Sequence, residues 1–293
     1  MKKVLNLVLA FTIATFFFAC NNESEPTTGN LSIDLTGLEE LGDGYVYEGW
    51  LIVDGKPVST GTFTSVSFPQ NYTVAINDLE TATKFVLSIE PAGETGAAAL
   101  APAATKILAG DFSGNSADVT SQGIVGDFSN SWGKYILATP TDSDDTNEAS
   151  GVWFLDNSNA PPAVAGLSLP TLSEGWKYEG WVVLNGTPVS TGTFSAIDAA
   201  DDNASTSPYK GASGNGPGFP GEDYVMGTAA GVNFPTDLKG ATVVISVEPS
   251  PDNSAAPFTL KPLAHVVPAD AKNHTVISMG AGPKKVLSGS VTR

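Results

Sequence analysis

One stretch of this chain occurs twice. Residues 45–63 read YVYEGWLIVDGKPVSTGTF, and residues 176–194 read WKYEGWVVLNGTPVSTGTF. Each copy runs from aromatic and β-branched residues into a two-residue break, Asp54-Gly55 or Asn185-Gly186, and out again into a second strand-forming run. Asp-Gly and Asn-Gly at such a break favour a type I′ turn, because both central residues of that turn take positive φ. The chain therefore reads as a duplication whose unit is organised on a β-hairpin. In its first strand Tyr45, Tyr47, Leu51 and Val53 alternate with Val46, Glu48, Trp50 and Ile52. Both sets are largely apolar, which predicts a strand inside a sheet and not at its edge.

The neighbouring segments extend the pattern. Leu31, Ile33 and Leu35 alternate with polar residues, and residues 85–90 form an apolar run stopped by Pro91, which cannot donate to a ladder. Residues 243–248, stopped by Pro249, answer that run in the second copy. Further strands are expected at 106–110, 135–139, 151–155 and 167–169. With 31 glycines and 20 prolines in 293 residues, and no long helical periodicity after residue 20, short strands joined by frequent turns are the expectation. The predicted fold is all-β: two tandem antiparallel β-sandwich (Ig-like) domains, residues 31–126 and 127–293, joined near residues 123–134. The interval between hairpin and Glu-Pro strand is longer in the second copy because of an insert at 196–231. Its Gly, Pro, Asp and Asn content predicts a polar loop available for function.

The N-terminus reads as targeting sequence. Lys2 and Lys3 precede an apolar run, Val4 to Phe18, and the segment ends in Phe17-Phe18-Ala19-Cys20. This is the secretory pattern, and its end resembles the lipidation box of bacterial lipoproteins, which implies a signal peptide over 1–19 and an acyl anchor on Cys20. Residues 20–30 are polar and acidic and are expected to form a flexible tether. The expected location is the outer membrane or cell surface of a Gram-negative bacterium, anchored by lipid without spanning. A formal net charge of -17 excludes nucleic acid as a partner, since such a surface repels phosphates.

The ordered features of each copy carry a family resemblance. An aromatic strand with Glu-Gly-Trp, an Asp-Gly or Asn-Gly turn, Pro-Val-Ser-Thr-Gly-Thr-Phe and a strand ending in Glu-Pro resemble the extracytoplasmic C-terminal domain of anti-sigma-K factors of the RskA type. In the first copy Ala92-Gly93 and residues 107–110 extend the likeness. In that family the domain follows a transmembrane helix and a cytoplasmic sigma-binding domain. Here no second hydrophobic span is found, and the single cysteine rules out a cysteine-containing zinc motif. The resemblance implies an envelope-side sensory or interaction module detached from that output.

Chemistry is sparse. Glu48, Glu90, Glu179 and Glu248 occupy matching positions, and paired carboxylates can serve acid and base catalysis. Recurrence in both copies favours a structural signature shared with Trp50 and Trp181, with the carboxylates accepting hydrogen bonds that hold loops. Trp132 and Trp153 lie among polar residues and are expected to be exposed, where they would stack on sugar rings. Residues 142–148 begin like a calcium loop, but Asn147 and Trp153 stand where Gly and Glu are required. Gly216, Gly218 and Gly221 make a GxGxxG pattern that prolines interrupt. No catalytic set, metal site or cofactor is expected. The partner is an envelope protein or, in the alternative, a surface glycan.

Overall fold

The computed structural model describes residues 26–159, 161–251 and 254–293; the expected signal peptide and Cys20 lie outside the described residues. The first half contains β1 (Thr28–Thr36), β2 (Tyr45–Val53), β3 (Lys56–Phe63), β4 (Gln70–Ala75), the short helix α1 (Ile76–Thr81), β5 (Lys84–Pro91), β6 (Lys106–Asp111) and β7 (Ser116–Thr120). The second half contains β8 (Trp132–Leu137), β9 (Gly151–Trp153), β10 (Leu155–Asp156), β11 (Val164–Ala165), β12 (Leu167–Ser168), β13 (Trp176–Leu184), β14 (Thr187–Phe194) and β15 (Gly221–Asp223). It continues through β16 (Thr228–Ala229), β17 (Val232–Asn233), β18 (Thr242–Pro249), β19 (Lys261–Val266), β20 (Ile277–Ser278), β21 (Gly280–Lys284) and β22 (Ser288–Thr292). The architecture is all-β and antiparallel.

Both repeated stretches form hairpins, β2-β3 and β13-β14. Asp54 and Gly55 have φ of 49° and 74°, Asn185 and Gly186 of 51° and 79°, as a type I′ turn demands. Each hairpin carries a bulge at the same place, between Gly49 and Trp50 and between Gly180 and Trp181. The glycine of Glu-Gly-Trp is required there. A Cβ on Gly49 would lie 2.4 Å from Thr60 Oγ1, and one on Gly180 would lie 2.2 Å from Thr191 Oγ1.

The first hairpin opens an eight-stranded sheet in the order β3-β2-β5-β6-β7-β22-β1-β4. Its two edges return to each other where the Phe63 ring meets Phe68 at 5.9 Å and Tyr72 at 6.1 Å. The sheet thus rolls around Leu31, Ile33, Tyr47, Leu51, Phe85 and Leu87, all fully buried. Trp50 points to the other face and packs with Val86 and Ala109, beneath Ile52 and Ile124.

The second hairpin heads the sheet β14-β13-β18-β19-β21, whose first four strands repeat the order β3-β2-β5-β6. Registers agree as well: Tyr47 faces Phe63 as Tyr178 faces Phe194, and Tyr45 faces Pro91 as Trp176 faces Pro249. A second sheet in this half is formed by β12-β8-β9-β15, with β20 also on β8.

The halves are not separable at residue 126. The C-terminal strand β22 pairs with β1 on one side and β7 on the other, so a segment expected in the second domain completes the sheet of the first. Val291 and Leu287 enter the core fully buried or nearly so. Trp176 Nε1 donates to the Lys106 carbonyl (3.2 Å) and Thr259 Oγ1 to the Gly37 carbonyl (2.7 Å). One contiguous cluster of buried apolar side chains extends through both halves. At about 1.5–3 kcal/mol for each large side chain removed from water, that shared core binds the halves firmly.

Candidate functional site

The four repeated glutamates are internal acceptors. In the first half Trp50 Nε1 donates to Ser88 Oγ (2.9 Å), Ser88 Oγ donates to Glu90 Oε1, and Ala103 N donates to the same oxygen (2.8 Å). In the second half Trp181 Nε1 donates to Ser246 Oγ (2.7 Å), Ser246 Oγ to Glu248 Oε1, and Phe258 N to that oxygen (2.8 Å). Glu48 accepts from Ser59 Oγ, and Glu179 from Ser190 Oγ, in the same way. At exposures of 9%, 1%, 4% and 0%, Glu48, Glu90, Glu179 and Glu248 are all buried side chains. Burial raises the Glu90 pKa, while the Ser88 and Ala103 donors act to lower it. The arrangement ties the loop before β6 to the hairpin, and the loop before β19 likewise.

Of the two tryptophans expected on the surface, Trp132 is 49% exposed and Trp153 only 2%. Trp153 is a correction to the expectation. Its sequence neighbours are polar, but its indole N–H donates to Asp223 Oδ1 (2.5 Å), and Gly216 and Gly221 press against its ring. The insert that supplies those residues packs on the second half through buried acids. Asp223 Oδ2 accepts from the Thr141 amide and hydroxyl (2.6 and 2.5 Å) and Asp201 Oδ2 from Gly221 N (3.0 Å). Glu222 takes the Ser207 hydroxyl and the Asp223 N–H. Burial pushes Asp201 up to about 6 and Glu222 up to about 8, and raises Asp223 as well. The insert is thus a docked element and not a solvated loop.

Among the described residues no group of three or more His, Cys, Asp or Glu side chains is arranged to hold a metal ion. In the calcium-like run Asp142 and Asp144 spend their carboxylates on their own turn. Asp142 accepts from Asp144 N and Asn147 Nδ2, and Asp144 from Thr146 N and Oγ1.

The open surface beside Trp132 is different in kind. Residues Asp127, Asn130, Ser131, Ser168, Leu169 and Pro170 line a cavity of about 260 Å³. Ser168 is the direct cross-strand partner of Trp132, so cavity wall and indole share a face of the sheet. Lys134 Nζ stands 5.8 Å from the centre of the Trp132 ring and is paired at 2.6 Å with Asp156. That pairing holds the Asp156 carboxyl down at about 2. Sequence reasoning found Trp132 but not the cavity. The signal present was Asp127-Phe128-Ser129-Asn130-Ser131, a turn-rich run with a single aromatic anchor.

Comparison with known proteins assigns the first hairpin and its surroundings. Residues 23–106 match the family described as "Anti-sigma-K factor rskA, C-terminal". This part of the chain is an RskA C-terminal-like, hence anti-sigma-factor-like, domain. Its described part runs from β1 through β5 to the start of β6, including the Trp50-Ser88-Glu90 relay. No curated protein and no solved structure matches the chain. No helix among the described residues is long and apolar enough to cross a membrane.

Proposed function

We propose that this chain is a non-catalytic lipoprotein of the bacterial cell envelope that works by protein contact, as a sensory or interaction module. The observation that carries this is the RskA C-terminal match over residues 23–106. We read the second hairpin as a duplicate of the first, so the protein presents two such units. The common strand order, bulge and Trp-Ser-Glu relay support that reading. The burial of all four glutamates supports the non-catalytic role. The Lys2-Lys3 start, the apolar run and Cys20 support export and attachment to the outer membrane or cell surface.

The test is in-cell photocrosslinking from exposed positions such as Leu100 and Val266 (71% and 57% exposed), combined with transcript profiling of a deletion strain. The expected result is one discrete adduct with an envelope protein and an expression change confined to a small gene set. A chain that gives no adduct and a deletion that leaves the profile unchanged would overturn the proposal. Cys20→Ser is expected to release the protein from the membrane fraction, and retention would remove the anchor from the proposal.

A further inference from the structure

The cavity beside Trp132 is walled by residues 127–131 on one side and 168–170 on the other. Its two walls are hung from one side chain. Phe128 is buried and packs edge-on to Tyr178, with ring centres 6.4 Å apart, and Ser131 N donates to the Phe128 carbonyl (3.2 Å), which closes the loop 127–131. On the opposite wall Tyr178 OH donates to the Pro170 carbonyl (2.6 Å). The cavity between them is therefore held open before any ligand arrives, which removes an ordering cost from binding.

Its chemistry is mixed and closely spaced. The Asp127 carboxylate is an acceptor, kept below its usual range by the N–H and hydroxyl of Ser129. The Asn130 amide is both donor and acceptor, and the Ser168 hydroxyl is either. Trp132, 49% exposed, follows Ser131 in the chain and pairs across the strands with Ser168, so its indole lies beside the cavity and not in its wall. A ring with an apolar C–H face and several hydroxyls meets all of these features at once.

We propose that this cavity and Trp132 bind one neutral pyranose residue of a polysaccharide, the ring edge entering the cavity and the next sugar lying on the indole. Size and charge narrow the class. A cavity of about 260 Å³ is smaller than the roughly 300–1,000 Å³ of drug-sized pockets and suits a single ring. Asp127 and the overall charge of -17 disfavour uronates and other acidic sugars. No Lys or Arg lines the cavity, and Lys134 beside the Trp132 ring is paired with Asp156, so an anion gains little there.

The test uses the full chain in detergent micelles on an array of neutral α- and β-hexopyranosyl oligosaccharides, with uronate polymers and free hexoses as separate arms. Tryptophan fluorescence supplies a second readout. Trp50, Trp153, Trp176 and Trp181 are 1%, 2%, 5% and 2% exposed, so acrylamide quenching reports mainly on Trp132. The expected result is saturable binding of a neutral oligosaccharide, stronger than of the free hexose, that shields Trp132 from acrylamide. Trp132→Ala and Asn130→Ala should each weaken binding by about tenfold at an unchanged melting temperature, with Trp132→Phe recovering part of the loss. Should Trp132→Ala destabilise the fold, Asn130→Ala alone decides. No neutral glycan retained, a preference for uronates, or binding indifferent to these variants would each overturn the proposal. The photocrosslinking outcome is independent of all three, so failure here leaves the partner-contact reading intact.

Discussion

Glu222 gives the chain a stability that depends on pH in a direction opposite to that of most acidic side chains. It lies on β15 at 3% exposure, between Ser207, Asp201, Asp223 and the fully buried Tyr224. Burial, reinforced by the negative charges of Asp201 and Asp223, lifts it from 4.5 to about 8. Between those values the folded protein holds a proton that the unfolded chain has released, so stability falls as pH rises through the window. At about 1.4 kcal/mol per unit, the loss across it is roughly 3–5 kcal/mol. Asp201, raised to about 6, adds to the lower part of the window with the same sign. Glu222→Gln keeps the side chain neutral at every pH while retaining an acceptor for the Asp223 N–H. Urea unfolding followed by tryptophan fluorescence at pH 5, 6.5 and 8.5 is the assay. The variant should match the parent near pH 5, exceed it at pH 8.5, and show a shallower pH slope by most of that difference. Equal slopes for variant and parent would refute the reasoning.

Two further outcomes follow from the sheets. Ser88→Ala removes the acceptor of the Trp50 indole N–H and one donor to Glu90, at a cost of about 2–4 kcal/mol; urea midpoints should show a matching loss for Ser246→Ala, and unequal losses would break the equivalence of the two relays. Deleting residues 288–293 strips the ladders from β1 and β7 and the buried Val291; hydrogen exchange should then show protection lost at residues 28–36 and 116–120 before it is lost in β13 and β18.

What could be read from the chain beforehand follows the range of the interactions. The two hairpins were legible because their turn dipeptides and apolar runs are contiguous, and the strands ending at Pro91 and Pro249 because each is a continuous apolar segment. Strand β22 was not: Ser288-Gly289-Ser290-Val291-Thr292 offers one large apolar side chain, and its partners Ser32 to Thr36 lie at the other end of the chain. Trp153 was misjudged for a related reason. Sequence shows Glu148 and Asn157 near it, whereas the group that settles its environment is Asp223, on the insert. The acids of that insert looked solvated by composition, and only their convergence with Thr141 and Ser207 makes burial tolerable. Trp132 could be picked out from its polar neighbours, but the cavity beside it depends on Tyr178 holding Phe128 and Pro170 together.

The seam between β1 and β7 also sets an order of events during biosynthesis. Residues 288–292 leave the ribosome after every other strand described here, so the rolled sheet of the first half stays unclosed while the second half is still being made. Two rows of backbone donors and acceptors stand open for that whole interval. A nascent chain stalled before residue 288 would carry them as a sticky gap, open to chaperones and to the wrong strand of a neighbouring molecule.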